Sequence, residues 1–391
     1  MNRTHNTRTL RRLLLAAAVL LTLTALVPSC ERRPPLYLHE GQHIEFNLPM
    51  VELNLTVYWR YDIGYDWELE WTYGWDDLDT DLFGEIGYHK PSMYELRRYY
   101  LYNRPGAPHT MVEDFTVVGN LFQAEYNYGY YDMLVWNKIQ TTDGIQSLVF
   151  DEETTLDSVV AFTHMGMATA RYQEPKYSRA FNQPEELFSA FVRDLYVSEN
   201  VEDYDYFDPE TNVYHKVIDM ELQPVTYIYL TQVRLHNNRG RIEGVDGEAN
   251  LSGMARSVSL NTGIADNDPV TVHYNIRFKK GLTTHEGQNV DIAGGRCLTF
   301  GIPNQNSSRV TRAEDVRDKT RHYIDVNFIF NNGMDSTMVF DVTDQVRRHY
   351  RGGVITVDLD VDTIKLPTRP GGSGFDAVVK DYDDEEYEFD M

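Results

Sequence analysis

The sequence predicts an all-β protein made of two β-sandwich domains in tandem, and three observations lead to this prediction. Short segments in which apolar and polar residues alternate recur along the chain, as in V-E-L-N-L-T-V-Y-W at 51–59. Turn signals such as Pro105-Gly106 and Asp143-Gly144 separate these segments. Aromatic residues make up 13% of the chain and include 27 tyrosines, a composition that favours strands. Many short strands separated by glycine-containing turns are typical of sandwiches.

The first 29 residues predict a lipoprotein signal peptide. Residues 1–12 carry four arginines and no acid, and residues 13–26 are apolar apart from two threonines. This apolar run is about 14 residues long, whereas a spanning helix needs about 20. Val27 and Ser29 precede Cys30 in a pattern that resembles the bacterial lipobox, in which the cysteine thiol is acylated. We therefore predict lipidation of Cys30. The alternative is an ordinary secretory signal with an incidental cysteine.

Charge and cysteine content restrict the compartment and the partners. Removing the four arginines of the signal takes the formal charge from −24 to −28. A body this acidic repels nucleic acid and anionic lipid surfaces, so the N-terminal acyl groups are expected to provide the membrane attachment. Acylation of Cys30 leaves Cys297 as a single thiol, which we expect to be a small buried residue without a disulfide.

Changes in composition divide the chain after the signal peptide into predicted segments. The stretch 198–212 is acidic, contains a proline and lacks an apolar period, which indicates a connection between domains. Two short helices are expected at 92–101 and 183–192, the second because Pro184, Glu185 and Glu186 suit a helix start. The predicted segments are a tether at 30–45, an N-terminal sandwich at 46–200, a linker at 201–215, a C-terminal sandwich at 216–367 and a tail at 368–391.

The tail has two interpretations. Three glycines form a hinge, and residues 376–391 carry eight acids against one lysine. Such a segment is either solvated and disordered, or it docks as an added strand on its own body or on a partner. The apolar residues that would serve as strand donors are Phe375, Val378, Val379 and Tyr382.

An aromatic stretch at 58–75 also has two interpretations. It contains four tryptophans, of which Trp67, Trp71 and Trp75 form a candidate binding patch for sugars or a protein partner. However, Trp67, Leu69, Trp71 and Tyr73 alternate as in a strand, which would bury every second ring in the core instead.

No motif for catalysis, metal binding or a cofactor is found in the sequence. The zincin, nucleophile-elbow, phosphate-loop and C-x-x-C patterns do not occur. Asp77, Asp79 and Asp81 resemble the start of a calcium loop, but Leu82 and Tyr88 occupy the positions that require glycine and glutamate. A solvated acidic loop is the simpler interpretation. We therefore expect that this protein is not an enzyme. The two catalytic carboxylates of a glycosidase can lie far apart in sequence, however, and would leave no local motif.

Several short sequence motifs together resemble those of one protein family. They are C-E-R-R-P-P-L-Y-L at 30–38, the strand at 132–137, L-S-G-M-A at 251–255, F-D-V-T-D-Q-V at 340–346 and G-G-S-G-F-D at 371–376. The chain resembles the fimbrillin-like lipoproteins of Bacteroides-type bacteria over nearly its whole mature length. This resemblance implies two transthyretin-like sandwiches on a lipid anchor and fimbrial subunits as partners.

The resemblance also implies a place and a role. In this family, shaft pilins are expected to be cleaved by a protease after a basic residue. The sequence shows no unambiguous site of this kind, which favours an anchor or accessory subunit over a shaft pilin. We expect a lipid-anchored protein of the outer membrane, displayed at the cell surface, that joins pilin subunits by strand addition. Arg32 and Arg33 after Glu31 leave a periplasmic orientation open. The alternative function is a glycan-binding surface lipoprotein that uses the aromatic stretch at 58–75.

Overall fold

The computed structural model describes residues 48–57, 70–74, 89–102, 105, 111–139, 146–151, 155–171, 178–303 and 320–368. These residues belong to one compact unit and contain twenty strands. The prediction of an all-β fold is confirmed. The strands are β1 Met50–Val57, β2 Met93–Tyr102, β3 Met111–Val118, β4 Leu121–Glu125, β5 Gly129–Asn137, β6 Leu148–Asp151, β7 Val160–Thr163, β8 Met165–Thr169, β9 Arg179–Asn182, β10 Phe188–Val197, β11 Tyr206–Asp208, β12 Val213–Pro224, β13 Tyr227–His236, β14 Ile242–Ala255, β15 Ser257–Ser259, β16 Pro269–Thr283, β17 Asn289–Thr299, β18 Tyr323–Phe330, β19 Asp335–Asp341 and β20 Gly353–Asp360.

Helical structure in the described residues is short. An α-helix, α1, spans Thr343–Arg348, and 3-10 turns span Leu156–Ser158, Val201–Asp203 and Val361–Thr363. Within this part of the chain, no helix has the length and apolar character needed to cross a bilayer.

The first sandwich is one eight-stranded sheet that folds back on itself. Its order is β3-β2-β5-β10-β12-β1-β4, and β11 also pairs with β12. Strands β10 and β12 pair only at Phe188 and Ser189, so the sheet turns a corner there. The strands on the two sides of this corner enclose a core that includes Leu53, Leu96 and Met133.

The second sandwich is a nine-stranded sheet in the order β19-β18-β14-β16-β17-β13-β20, and β8 and β9 are attached through β16. Strand β16 forms the corner because its first half pairs with β14 and its second half with β17. The core lies between the two layers and includes Tyr274, Phe328 and the single thiol Cys297, which is buried as expected.

A third, smaller sheet joins the two sandwiches. Strands β15, β7 and β6 pair side by side, with β15 contributed from the second half of the chain. The core beside this sheet combines Leu134 and Trp136 of β5 with Val258, Leu260 and Phe300 from later in the sequence. The two sandwiches are therefore joined by a shared hydrophobic core.

The predicted division at 201–215 does not match the sheets. Strands β11 and β12, assigned to the linker and the second domain, belong to the first sheet, where β12 runs parallel to β1. Conversely, β8 and β9 lie before residue 200 but pair with the second sheet. Local composition did not reveal these pairings because they join residues distant in sequence.

Both predicted helices are wrong. Residues 93–102 form β2, in which Tyr94 and Leu96 point into the first core and Arg97 and Arg98 form cross-strand ion pairs with β3. Residues 183–187 are not helical and lead directly into β10. The Glu185 carboxylate does not serve a helix start, because it accepts hydrogen bonds from the N–H groups of Ser147 and Leu148 at 2.5 and 2.8 Å.

Candidate functional site

Most of the site residues predicted from the sequence lie outside the described residues. These are Cys30, Trp67, Trp75 and the four tail residues Phe375, Val378, Val379 and Tyr382. The acidic loop with Asp77, Asp79 and Asp81 lies outside them as well. Among the described residues, no group of three or more histidine, cysteine or acidic side chains is arranged to hold a metal ion.

Trp71 is the one candidate of the aromatic patch that the structure describes, and it is buried. Its side chain is 3% exposed and packs, with Tyr73, against Ile228, Leu230 and other residues on the outside of the second sandwich. This corresponds to the interpretation in which rings of the stretch are buried. The expected strand is wrong for residues 71–74, which form a turn closed by a hydrogen bond from the Gly74 N–H to the Trp71 carbonyl.

Polar contacts fix this turn on the second sandwich. The Gln232 side chain accepts a hydrogen bond from the Tyr73 N–H at 3.2 Å and donates one to the Glu70 carbonyl at 2.7 Å. The Lys279 ammonium lies 4.0 Å from the centre of the Tyr73 ring, a cation–π contact. Trp71 is thus held away from solvent and cannot stack on a ligand at the surface.

The edge strand β3 of the first sandwich is the feature best suited to protein association. Its eight residues pair with β2 on one side, and no described strand pairs with its other side. Met111, Val112 and Val118 are 40%, 39% and 74% exposed. The strand contains neither proline nor lysine, which commonly protect an exposed edge from pairing with another chain.

The backbone of β3 presents its hydrogen-bonding groups at this free edge. Gly119, directly after β3, donates its N–H to the carbonyl of Ser92 at 2.9 Å, so it faces β2. In an antiparallel ladder the N–H and C=O groups of successive residues point alternately to the two sides. The N–H groups of Val112, Thr116 and Val118 therefore point away from β2.

Two arginines on β2 hold β3 in place. The Arg97 guanidinium forms a bidentate pair with Asp114, at 2.6 and 3.0 Å. Arg98 donates to Glu113 at 2.8 Å and lies over the ring of Tyr126, 4.3 Å from its centre. Because the arginine side chains are only about a tenth exposed, these pairs are shielded on one side and restrict the position of the strand.

The neighbouring strand β4 forms the edge of the opposite layer on the same side of the sandwich. It follows β3 after a two-residue turn and pairs with β1 on one side, and no other strand of the described residues pairs with it. The rings of Phe115 and Phe122 meet between the two edges at 5.2 Å. This side of the first sandwich therefore has two adjacent strand edges with a shared aromatic contact beneath them.

The edge of β20 in the second sandwich is protected. The Gln345 side chain on α1 accepts a hydrogen bond from the Thr356 N–H at 2.9 Å and donates one to the Thr356 carbonyl at 2.8 Å. These two bonds occupy backbone groups that an added strand would need. The edge of β20 is therefore less available to an added strand than the edge of β3.

Comparisons with solved structures find proteins with a similar arrangement of strands. A candidate adhesin from Bacteroides ovatus is 14% identical, with 83% of this chain and 95% of that chain covered and a TM-score of 0.47. The fimbrial anchor protein Mfa2 from Porphyromonas gingivalis is 11% identical, with 79% and 90% covered and a TM-score of 0.40. The tip fimbrial protein Mfa3 from the same organism is 9% identical, with 75% and 82% covered and a TM-score of 0.32.

All three TM-scores lie below 0.5, so these similarities assign neither a family nor a role to this chain. No family model and no curated protein sequence matches it. At these identities the similarity concerns the fold and transfers no residue roles.

Several exposed aromatic residues of the first sandwich were not foreseen from the sequence. Tyr128, Tyr196, Tyr206 and Phe207 are between 42% and 46% exposed. The Tyr196 ring stacks on Tyr130 at 4.7 Å, and the Tyr206 ring stacks on His215 at 4.5 Å. The acids of residues 198–212 indicate a linker, whereas the stack of Tyr206 on His215 arises because β11 pairs with β12.

Proposed function

We propose that this protein is a lipid-anchored subunit of a surface fimbrial assembly, with an anchor or accessory role, and that it joins partner subunits by strand addition. The observation that carries this proposal is the free edge of β3, with its outward N–H groups and its exposed Met111, Val112 and Val118. An incoming strand would gain affinity from backbone hydrogen bonds and specificity from alternate side-chain positions.

The anchor in this proposal is the acylated Cys30, which would hold the protein in the outer membrane with its sandwiches at the cell surface. Support comes from the basic and apolar segments before Cys30 and from the acidic body, which has no charge-based affinity for an anionic bilayer. Cys30→Ala should release the protein from the membrane fraction, whereas Cys297→Ala should leave it there. A Cys30→Ala variant that stays membrane-bound would contradict lipid anchoring.

The tail residues Phe375, Val378, Val379 and Tyr382 are proposed as the donor strand of this chain. They are apolar residues that follow the glycine hinge, and in an added strand they would supply the side chains that enter a partner's pockets. The tail and the β3 edge would then provide one donor and one acceptor per subunit, as a linear assembly requires. Deleting residues 369–391 should abolish binding to one neighbouring subunit and leave the β3 contact intact, which cross-linking of the two sites would measure.

Strand addition at β3 can be tested by removing one outward N–H group. Thr116→Pro deletes an N–H on the free edge without removing a bond to β2, and Thr116→Ala removes the same side chain but keeps that N–H. We expect the proline variant to lose co-purification with fimbrial subunits and to change fimbrial number or length in electron micrographs. The alanine variant should behave as the unmodified protein.

Two results would overturn the proposed function. One is a gene deletion that leaves fimbriae unaltered while no fimbrial subunit co-purifies with the lipidated protein. The other is a Thr116→Pro variant that folds, as judged by its thermal unfolding, and still binds subunits as tightly as Thr116→Ala.

A further inference from the structure

A cavity lies on the outer face of the first sandwich, and it is lined by side chains of the sheet rather than by the backbone groups at the edge of β3. Its volume is about 320 Å³, and its walls come from β2, β3, β5 and β6. This volume lies at the lower end of the range for small-molecule sites, roughly 300–1,000 Å³.

Two aromatic rings form one wall of the cavity. Trp136 of β5 and Phe150 of β6 have ring centres 5.9 Å apart and planes inclined by 36°. Trp136 is 5% exposed because it packs in the core shared by the two sandwiches, and it supports Phe150, whose ring is only partly buried and faces the cavity. A rigid aromatic wall suits the apolar face of a flat or ring-shaped ligand.

Four charged side chains surround this wall in two ion pairs. Arg97 pairs with Asp114 at 2.6 Å, and Lys138 pairs with Glu95 at 2.8 Å. The Arg97 side chain is 9% exposed, whereas Asp114 and Lys138 are 59% and 43% exposed and form the rim. The Thr116 hydroxyl also donates to Glu95 at 3.0 Å, which fixes that carboxylate from the side of β3.

The charges of the lining cancel, in a chain whose formal charge is −24. An ion of either sign would meet an equal number of like charges, so the cavity does not favour a charged ligand. Each pair still offers hydrogen bonds, because a guanidinium carries five N–H donors and a carboxylate has about four acceptor positions. The cavity therefore presents donors and acceptors together around an apolar wall.

We propose that this cavity binds a neutral sugar residue. A pyranose ring has one apolar C–H face, which would lie against the partly exposed ring of Phe150, and equatorial hydroxyl groups, which would meet Arg97, Asp114, Lys138 and Glu95. This proposal goes beyond the fimbrial function and does not depend on it, since it uses side chains on the outer face of the sheet rather than the backbone edge. It also assigns sugar binding to a site different from the one expected at residues 58–75.

The test uses the full chain and a panel of methyl glycosides of glucose, galactose, mannose and N-acetylglucosamine, titrated by saturation-transfer NMR. At least one member should bind, and Phe150→Leu should weaken that binding about tenfold through loss of the aromatic contact. Because Phe150 also packs against the shared core, Asp114→Ala and Lys138→Ala provide rim variants that leave the aromatic wall in place. Tyr196→Ala is the matched control, an exposed aromatic ring outside the cavity.

Each outcome bears on the proposal. Binding that weakens in all three cavity variants, and not in Tyr196→Ala, supports it. Absence of binding for the whole panel up to about 10 mM overturns it, because weaker contacts lie below ordinary recognition. Binding that persists in the correctly folded rim variants overturns it as well. Competition by inorganic sulfate would show that the cavity takes an anion and would overturn the assignment to a neutral sugar.

Discussion

At the residue scale, His349 at the end of α1 shows how the fold controls a titratable group. Its side chain is 7% exposed and packs against the backbone of Gly353 at the start of β20. Burial, reinforced by the charge of Arg348, lowers the pKa of His349 from 6.5 to about 4. Between these two values the unfolded chain binds a proton that the folded chain excludes, so acidification through this window favours unfolding.

We therefore predict that His349→Gln makes stability less sensitive to pH. The free energy of unfolding of the unmodified protein should fall as the pH drops from 6.5 toward 4, with up to roughly 3 kcal/mol attributable to His349. Urea unfolding across this range should show a flatter profile for His349→Gln. The exposed His285→Gln is the control and should keep the steeper profile. Parallel profiles for both variants would contradict the assignment.

At the element scale, the turn at 70–74 depends on a glycine of β17. A Cβ atom placed on Gly294 would lie 2.4 Å from the Tyr73 ring, closer than real contacts allow. Tyr73 is 2% exposed, so its ring has no free space into which to move. The absence of a side chain at Gly294 therefore allows the aromatic segment to pack on the second sandwich.

Gly294→Ala should displace Tyr73 and cost about 1–3 kcal/mol, the usual range for overpacking. Gly244→Ala is the control, because a Cβ there meets nothing within 4 Å, and it should change stability by less than about 0.5 kcal/mol. In a Tyr73→Ala background the cost of Gly294→Ala should largely disappear. Additive costs in that double-mutant cycle would exclude the proposed contact.

Sequence patterns predicted elements well where one face alone was buried. The strand at 51–59 was expected because Val51, Leu53 and Leu55 alternate with polar residues, and these three side chains are buried in the first core. The helix expected at 92–101 failed because its residues are buried on both faces of the sheet, with Leu96 in the first core and Tyr99 in the shared core. Burial on both faces removes the alternation that identifies a strand.

At the scale of the whole molecule, the shared core joins the two sandwiches into one unit. Leu260, from the second half of the chain, is 1% exposed, and its N–H bonds to the carbonyl of Val159 from the first half. The Glu186 side chain adds a polar connection, since it accepts hydrogen bonds from the His89 N–H and from Arg296 of β17. Both apolar and polar contacts thus connect the first half of the chain with the second half.

Leu260→Ala should therefore lower the stability of both sandwiches at once, by about 2–5 kcal/mol. Tryptophan fluorescence and far-ultraviolet circular dichroism should report the same shifted, single unfolding transition. Leu121→Ala, at a position 46% exposed, should leave the transition within about 0.5 kcal/mol of the original. Two separate transitions in the unmodified protein would show that the halves unfold independently.

The sequence by itself determined the all-β class, the acidic character, the buried state of Cys297 and the motif before Cys30, because composition and local alternation are properties of neighbouring residues. Only the tertiary structure decided that β12 returns to pair with β1 and that Trp71 is buried on the second sandwich. It also decided that no described strand pairs with the outer edge of β3, while that of β20 is closed by Gln345. It also brought Trp136, Arg97 and Lys138 to one cavity. These features arise from contacts between residues far apart in the chain, and such contacts leave no local pattern.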